Sequence, residues 1–396
     1  MNNDIVIIGQ QPWDTEIGSN CKNIALELSK TNRVLYINSP LDRITLIKNK
    51  KDPKIQKRIN VINQKEEGLI KIKNNLWNYY PDCIVESINW INSTSIFRLL
   101  NKRNNKKLSK SIKKAIEKLQ FKNIILFNDN EMFKAFYLKD YLQPDLSVYY
   151  SRDYMVGVNY WKKHGEILEP ELIAKSDFCF ANSEYLAAYC RKYNSKSFNV
   201  GQGCDIESFK NVSAELPEVL KNIKSKIIGY VGALSTSRLN IEIIQHIANQ
   251  YPDYNVVLVG PEDDSFMDSE LHNIKNVIFI GQREVDELPS FINAFDICIN
   301  PQTVNAITRG NYPRKIDEYL ALGKPVIATR TETMEVFKDF VYLADTKEDY
   351  VKLIEKAFNE HNSELELGRK EFAFSHTWEN SVKAMTVEID KLISKK

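Results

Sequence analysis

The sequence predicts an α/β protein made of two doubly wound domains, on three observations. Short apolar runs of strand type alternate with amphipathic helical runs along the whole chain, as in parallel α/β sheets. The alternation occurs in two series, one on each side of the polar segment 211–225. The length of 396 residues exceeds one ordinary core and suits two domains of about 150 to 200 residues each.

The first series predicts strands that are short and rich in apolar or aromatic residues, and helices that show the 3.6-residue period. The strands are predicted at 5–9, 34–37, 69–72, 124–127, 148–150, 178–181 and 198–200, and the helices at 20–30, 109–119, 132–141, 166–175 and 184–193. Residues 41–67 and 74–108 follow neither period, so we predict loops or insertions there.

The second series has the same plan without a sequence repeat. Its strands are predicted at 227–231, 256–259, 277–280, 297–299, 326–328 and 341–343, and its helices at 240–250, 286–294, 313–322 and 347–359. The predicted domains are therefore 1–205 and 226–376, joined by a linker at 206–225 and followed by a helical segment at 377–396.

The composition is that of a globular protein, with 43% hydrophobic and 27% charged residues. The first residues begin a strand without the basic and apolar regions of a secretory signal, and no apolar run reaches membrane-spanning length, so we expect a cytoplasmic protein. The six cysteines are scattered, without a C-x-x-C pair, which favours reduced thiols and argues against a zinc site.

The net charge is only +2, but two segments, 43–58 and 102–118, are strongly basic. Such runs are most often solvated helix faces. The alternative is a surface for anionic lipid headgroups, which would place the protein at the inner face of the plasma membrane. Nucleic acid is disfavoured as a partner because aromatic residues do not alternate with these charges.

Ligands of open parallel sheets bind beyond the carboxyl ends of the strands, so the loops after the strands hold the candidate site residues. After the first strand, the loop Gly9–Asn20 lacks the G-x-G-x-x-G pattern of dinucleotide-binding proteins but offers Gly18 for close backbone approach. Asp153 follows a later strand directly, next to Arg152. Such a pair is either a structural ion pair or part of a site.

In the second domain, the Ser/Thr-rich loop between Gly232 and Arg238 brings backbone N–H groups and a guanidinium together, as a diphosphate requires. An ordinary polar loop is the alternative. Further candidates after later strands are Gly260, Arg283, Val285, Asn305, Thr308 and Arg309.

A short helix is predicted from Asn311, as its N-cap, to Gly323, with Pro313 in its first turn. Lys315 and Glu318 lie three residues apart on one of its faces. They form either a surface ion pair or a phosphate-binding cation with a carboxylate one turn further on, suited to sugar hydroxyls.

This helix and the strand after it, TRGNYPRKIDEYLALGKPVIATR, carry a P-x-K-x-x-E-Y-L-A-x-G-K-P-V pattern over residues 313–326. The pattern resembles the nucleotide-sugar site of retaining, family-4-like GT-B glycosyltransferases (glycosyl transferases group 1) of the bacterial surface-polysaccharide type. The resemblance implies two Rossmann-like domains facing across a cleft, with the helix at 377–396 crossing back to the first domain. Many members have a second Glu where this chain has Gly310.

The resemblance also implies roles for the candidate residues. Glu318 would bind the donor ribose, Arg238 and Lys315 the leaving diphosphate, and Arg283 and Val285 the base. Gly18 would lie near the phosphates and acceptor, and Asp153 would face the sugar.

The implied activity is metal-independent transfer of a hexose-type sugar, with retention, from a UDP- or GDP-sugar to a hydroxyl of a glycan or lipid-linked oligosaccharide in capsule, O-antigen or exopolysaccharide synthesis. No cofactor is expected. The sequence contains no D-x-D motif and no spaced set of metal ligands, and two cations are available to neutralise phosphate.

Three other classes of protein are considered. A GT-B-shaped nucleotide-sugar epimerase is disfavoured by the 313–326 pattern and by the basic runs of the first domain. A two-lobed solute-binding protein would need an export signal, and an NAD-dependent dehydrogenase would need the glycine fingerprint.

Overall fold

The computed structural model describes residues 3–15, 18–213 and 215–393. The chain divides into two compact units. The first comprises Met1–Gly201 together with Ser381–Lys396, and the second comprises Gln202–Asn380.

The first unit is built on a sheet with the strand order β10-β9-β8-β7-β1-β2-β5-β4. Its pairs are parallel except for the β4–β5 hairpin. The strands are β1 (Asp4–Ile8), β2 (Arg33–Ile37), β4 (Leu69–Lys73), β5 (Leu76–Tyr79), β7 (Ile124–Asp129), β8 (Leu146–Ser151), β9 (Phe178–Ala181) and β10 (Ser197–Asn199), with a separate short pair formed by β3 (Leu41–Asp42) and β6 (Ile84–Val85). Strand β1 is buried along its whole length, as expected for a central parallel strand.

The helices of this unit are α1 (Asn20–Leu28), α2 (Arg43–Lys48), α3 (Pro53–Ile62), α4 (Thr94–Leu119), α5 (Leu138–Leu142), α6 (Asn159–Lys175) and α7 (Glu184–Arg191). The last helix of the chain, α15 (Trp378–Ile393), has its residues from Ser381 onward in this unit.

The second unit has a parallel sheet with the order β13-β12-β11-β14-β15-β16. Its strands are β11 (Ile227–Val231), β12 (Asn255–Val259), β13 (Val277–Gly281), β14 (Ile297–Asn300), β15 (Val326–Thr329) and β16 (Tyr342–Ala344). Its helices are α8 (Ile241–Gln250), α9 (Asp264–Met267), α10 (Leu288–Ala294), α11 (Ala306–Gly310), α12 (Lys315–Ala321), α13 (Lys347–Glu360) and α14 (Ser363–Ser375). Two apolar clusters, one on each face of the sheet, form its core.

Both units are thus α/β layers with parallel sheets, and the predicted fold class is confirmed. Each predicted strand is present. The segments predicted as loops at 41–67 and 74–108 instead contain α2, α3, β5 and the first half of α4.

Two further segments differ from the prediction. The predicted helix 132–141 is reduced to α5, because the Glu131 carboxylate accepts hydrogen bonds from the backbone of Phe133 and Lys134 and holds a turn there. The predicted linker 206–225 lies in the second unit, and its Ile206, Phe209 and Leu220 are buried there. The segment is polar overall, so its composition did not predict that these three apolar residues are buried.

Candidate functional site

Three glycines lie at the carboxyl ends of the neighbouring strands β11, β12 and β13. Gly232 donates its backbone N–H to Val259 O at 2.9 Å, and Gly260 donates to Gly281 O at 2.9 Å. A Cβ at Gly260 would come within 2.0 Å of Gly232 O, and φ is +141° at Gly232 and +147° at Gly260. Other residues are strained in that conformation, so this sheet edge is a surface of bare backbone.

Lys315 lies directly beside this glycine edge. Its ammonium group donates to the Tyr230 hydroxyl and lies 4.1 Å from the centroid of that ring. A Cβ at Gly232 would lie 2.6 Å from Lys315 Nζ. Within the described part of the chain, Lys315 makes no salt bridge to a carboxylate, so its positive charge is available to a ligand.

Tyr319 fixes the helix that carries Lys315. Its buried hydroxyl accepts from Val231 N at 2.9 Å and donates to Val231 O at 3.2 Å, at the end of β11. On the same helix, α12, Ile316 and Leu320 are also fully buried. Gly323, at φ +71°, follows the end of the helix. The period seen in the sequence therefore places Lys315 against the glycine edge.

The predicted N-cap of this helix is wrong. Asn311 lies at the C-cap of α11, and α12 begins at Lys315 after Arg314, which makes no capping side-chain bond. The asparagine that caps a helix here is Asn305, whose side chain accepts from Ile307 N and Thr308 N. The predicted helix is α12, and the short helix α11 before it was not predicted.

Glu318 lies one turn after Lys315 and is partly buried. Its carboxylate makes no hydrogen bond or salt bridge to any described residue. Burial raises the pKa of Glu318 above its ordinary value, although the charges of Arg314 and Lys315 lower it. The neighbouring Asp317 points into the core, where it pairs with His376 Nδ1 at 2.6 Å and Cys204 Sγ at 3.2 Å. One carboxylate of this helix is therefore bonded within the protein, and the next has no partner among the described residues.

Arg238 lies in the exposed turn after β11. Its backbone carbonyl accepts from Thr303 N at 2.9 Å, and Asn305 Nδ2 donates to Ser237 O at 2.9 Å. The loops after β11 and β14 are therefore bonded to each other at one edge of the sheet. Among the described residues, the Arg238 guanidinium has no hydrogen-bond or ion-pair partner.

The remaining second-unit candidates differ in exposure. Arg309 is exposed in the last turn of α11, whereas Thr308 is buried and donates to Thr303 O, so it serves the capping box. Arg283 packs over Phe291 at 5.7 Å, and Val285 is 79% exposed after β13.

A second group of charges lies at the sheet edge of the first unit, around Arg152. The guanidinium donates to Asp129 Oδ1 at 3.0 Å, to Asp153 Oδ2 at 2.6 Å and to Gln10 Oε1 at 2.7 Å. Gln10 follows β1, Asp129 ends β7, and Arg152 and Asp153 follow β8, so Asp153 lies at the sheet edge where the strand-end rule predicted it. Burial raises the pKa of Asp129 even though Arg152 lowers it.

Asn130 hydrogen-bonds to the backbone of this Arg152 group. Its Oδ1 accepts from the backbone N–H groups of Arg152 and Asp153, at 3.0 Å each, and its Nδ2 donates to the Tyr149 hydroxyl at 2.9 Å. Tyr149 in turn donates to the buried Glu169 at 2.6 Å. Burial raises the pKa of Glu169 to about 7, although its bonds to Tyr149 and Tyr189 lower it. The sequence predicted the position of Asp153 but none of these hydrogen bonds.

Gly18 is exposed, directly before the N-cap Ser19 of α1. The two residues before it, 16 and 17, lie outside the described part of the chain. Its predicted role near phosphates therefore stays a prediction.

Within the described ranges, no group of three or more His, Cys, Asp or Glu side chains is arranged to hold a metal ion. Nor does any helix in those ranges combine the length and apolarity needed to cross a bilayer.

The chain is similar to known proteins in sequence and in fold. Residues 212–372 match the family model of glycosyl transferases group 1. A Bacillus subtilis (strain 168) protein, named as a candidate teichuronic acid biosynthesis glycosyltransferase, TuaH, is 29% identical over 209 residues. That match spans 50% of this chain and 52% of the relative, so the chain covers about half of that protein's length.

Solved structures share the fold over the full length. Sucrose-phosphate synthase from Thermosynechococcus elongatus superposes with a TM-score of 0.70 at 14% identity, covering 100% of both chains. Anabaena HepE, solved with UDP, superposes with a TM-score of 0.66 at 15% identity, again covering 100% of both. These neighbours have the GT-B fold. The predicted resemblance to group 1 glycosyltransferases is confirmed.

Proposed function

We propose that this chain, whose residues 212–372 match the group 1 glycosyltransferases, transfers a sugar from a nucleoside diphosphate sugar to a hydroxyl of a glycan or lipid-linked oligosaccharide during bacterial surface-polysaccharide synthesis. One observation carries the proposal. The Lys315 ammonium lies beside the bare backbone at Gly232, and the Glu318 carboxylate, which has no partner among the described residues, lies one turn away. A diphosphate fits the cation and the close approach that bare glycine backbone allows, and ribose hydroxyls fit the carboxylate.

The donor is a nucleotide sugar, for which UDP or GDP is the expected carrier. HepE was solved with UDP, which supports UDP as the first ligand to test. In the proposed assignment, Arg238 and Lys315 hold the diphosphate against the backbone of Gly232 and Gly260. Arg309 contacts the sugar, and Arg283 and Val285 lie beside the base.

The proposed reaction breaks the bond between the anomeric carbon and the phosphate oxygen and forms one to the acceptor oxygen on the same face. The acceptor proton passes to the leaving phosphate, so retention needs no protein base. Two fixed cations stabilise the charge that develops on the diphosphate, so no metal ion is required. Asp153, held by Arg152, orients the acceptor in the first unit.

Contact with an anionic membrane through the basic runs 43–58 and 102–118 is also proposed. Several of these charges are paired within the protein, including Arg43 with Glu86 and Lys114 with Asp82. Exposed charges with no salt bridge among the described residues include Lys48, Lys50 and Lys51 in the first run and Lys102, Arg103, Lys106, Lys110 and Lys113 on α4. Sedimentation with anionic vesicles measures this contact. The fraction of protein bound to the vesicles should fall as the salt concentration is raised, because salt screens the charges.

Incubation with donor alone and with donor plus acceptor tests the proposed activity. We expect sugar transfer only when an acceptor is present. The rate of transfer should be unchanged after exhaustive treatment with EDTA. Conversion of the donor without an acceptor would identify an epimerase instead. A strict requirement for Mg²⁺ would contradict the metal-independent mechanism.

A further inference from the structure

The second unit contains a cavity of about 320 Å³ at the edge of its sheet opposite to the candidate nucleotide site. Lys315 lies at the start of α12, whereas the cavity is formed where that helix ends, at residues 321–323. Lys324 also lines the cavity and lies just before β15, so the cavity is near the amino ends of the parallel strands. Its described lining therefore shares no residue with the candidate nucleotide ligands.

Lys324 brings to this cavity an ammonium group that no carboxylate balances. The side chain is half-buried, and its Nζ donates to Asn293 O at 2.6 Å. Lys324 forms no salt bridge to a described residue, and the nearby Asp296 pairs with Lys226 at 2.9 Å. Burial lowers the pKa of Lys324, because desolvation penalises its charged form. A carbonyl oxygen carries only a partial charge, so the ammonium has room for an anionic partner.

Two further lysines line the cavity, and each lies beside a carboxylate. Lys370 pairs with Glu366 on α14, which also lines the cavity, and Lys210 pairs with Glu207 at 2.7 Å. The side chains of both pairs are partly exposed. Exposed ion pairs are weak, so both lysines can turn toward an anion in the cavity.

A fourth cation, Arg369, is buried behind the cavity. Its Nη1 donates to Gly323 O and its Nε to Phe340 O, each at 3.4 Å. Arg369 forms no salt bridge within the described part of the chain, and burial lowers its pKa. Positive charge is therefore held at this end of α12 without matching carboxylates.

The charges and the walls of the cavity together indicate its ligand. The four cations are accompanied by two paired carboxylates, which leaves two positive charges in excess. Phe209, Leu322 and Phe374 make much of the remaining lining, and attraction between charges is stronger beside apolar walls than in open water. A phosphate group carries about 1.5 to 2 negative charges near neutral pH, which fits this excess better than a monoanion does.

We propose that this cavity binds an anion of the phosphate type, with Lys324 as its principal ligand and Lys210 and Lys370 beside it. The shared chemistry is the phosphate group, whether free or as the monoester of a small molecule. The proposal goes beyond the transferase activity and does not depend on it.

Calorimetric titration of the full chain with inorganic phosphate, in the presence of saturating UDP, tests the proposal. We expect saturable binding of phosphate at one site while UDP is present, and none of acetate at the same ionic strength. Lys324→Met should weaken phosphate binding at least about tenfold, as the loss of a charge-assisted hydrogen bond implies. Lys347→Met, at an exposed lysine of α13, should not change it. Absence of phosphate binding, or equal affinity in the parent and the Lys324 variant, would overturn the proposal.

The same titration in Lys315→Met shows that the phosphate is not bound at the proposed diphosphate contact. We expect unchanged phosphate affinity in this variant, and loss of binding would overturn a separate site. Failure of UDP to bind the parent protein would count against the transferase alone, since phosphate binding is then measured without UDP.

A substitution of opposite sign separates electrostatic binding from damage to the fold. Glu366→Gln keeps the shape of the side chain but removes the carboxylate that pairs with Lys370, so phosphate should bind severalfold more tightly. Weaker binding in Glu366→Gln would contradict the proposal. If Lys324→Met does not fold, Lys370→Met carries the test and should weaken phosphate binding.

Phenyl phosphate, titrated under the same conditions, distinguishes the two sources of the phosphate group. Tighter binding than inorganic phosphate supports a monoester whose organic part contacts the apolar walls, and weaker binding supports the free ion. Binding of neither probe would overturn the proposal.

Discussion

The two units both place charged residues beyond the carboxyl ends of parallel strands, but they treat those charges differently. In the first unit, Arg152 bonds to both Asp129 and Asp153, so the charges satisfy one another. In the second unit, the Lys315 ammonium donates to the Tyr230 hydroxyl and has no carboxylate partner among the described residues, and neither has Glu318 a hydrogen-bonding partner there. The first arrangement satisfies its own charges, whereas the second leaves a cation and a carboxylate for the proposed donor.

This difference has an energetic meaning. A partly buried carboxylate without a partner costs free energy, which the raised pKa of Glu318 reflects. Such a cost persists at sites that are preorganised for a ligand. We therefore expect loss of the buried Arg152–Asp129 pair to affect mainly stability, and substitution of Lys315 or Glu318 to affect mainly binding and turnover.

The largest stability effect is expected for Arg152→Met. It leaves Asp129, which is fully buried, without its cation, and breaking a buried pair in this way costs about 3–5 kcal/mol. Arg98→Met removes an exposed pair with Glu171 and should cost less than about 1 kcal/mol. Urea unfolding measures both. Equal losses in the two variants would show that the Arg152 group is not a buried network.

The largest effect on turnover is expected for Lys315→Met and, similarly, Arg238→Met. Removal of a preorganised group that stabilises developing charge lowers kcat about 10²- to 10³-fold. The melting temperature should stay unchanged because neither side chain has a carboxylate partner within the described residues. Lys347→Met, at an exposed lysine of α13 with no salt bridge to a described residue, is the matched control. Turnover retained in the Lys315 variant would contradict its placement at the diphosphate.

A pH-dependent stability effect is expected from Glu169, whose pKa is raised from 4.5 to about 7. The folded state keeps this proton where the unfolded chain loses it, so the stabilisation is present below about pH 4.5 and is lost as the pH rises through 7. Glu169→Gln stays neutral and should be more stable than the parent protein at pH 8, by at most about 3 kcal/mol. Near pH 4.5 the two should be alike. A difference that does not vary with pH would exclude titration of Glu169 in this range.

The smallest effect is expected for Glu318→Ala, which removes the proposed ribose acceptor. Nucleotide affinity should fall by about 1–3 kcal/mol, the cost of losing a hydrogen bond to a charged group. Calorimetry with UDP measures the change, and Glu355→Ala on the exposed face of α13 is the control. Unchanged affinity in the Glu318 variant would remove that residue from the nucleotide site.

The sequence predicted the strands of both sheets except β5, and the position of Lys315 and Glu318, because these depend on local apolar period and on a dense motif. It did not predict the first half of α4. The buried face of that half carries Asn101, Asn104 and Asn105 in place of apolar residues. Asn101 and Asn105 donate to Phe133 O, and Asn104 bonds to the backbone of Glu86. A helix face that buries amides instead of hydrocarbon gives no hydrophobic period.

The sequence also did not predict which residues form hydrogen bonds with one another. Asn130, Tyr149 and Glu169 are separated by up to 39 positions and meet only through the order of the strands. Asp317 meets His376, 59 positions away, by the same kind of tertiary pairing. The strand-end rule locates the edge where such groups meet but does not identify which groups bond.

A crystal structure of the protein soaked with UDP tests the central claim most directly. We expect the diphosphate against the backbone of Gly232 and Gly260, with Lys315 Nζ within hydrogen-bonding distance of its oxygens and the ribose hydroxyls donating to Glu318. Nucleotide bound elsewhere, or Lys315 and Glu318 turned toward bulk solvent with UDP present, would contradict it.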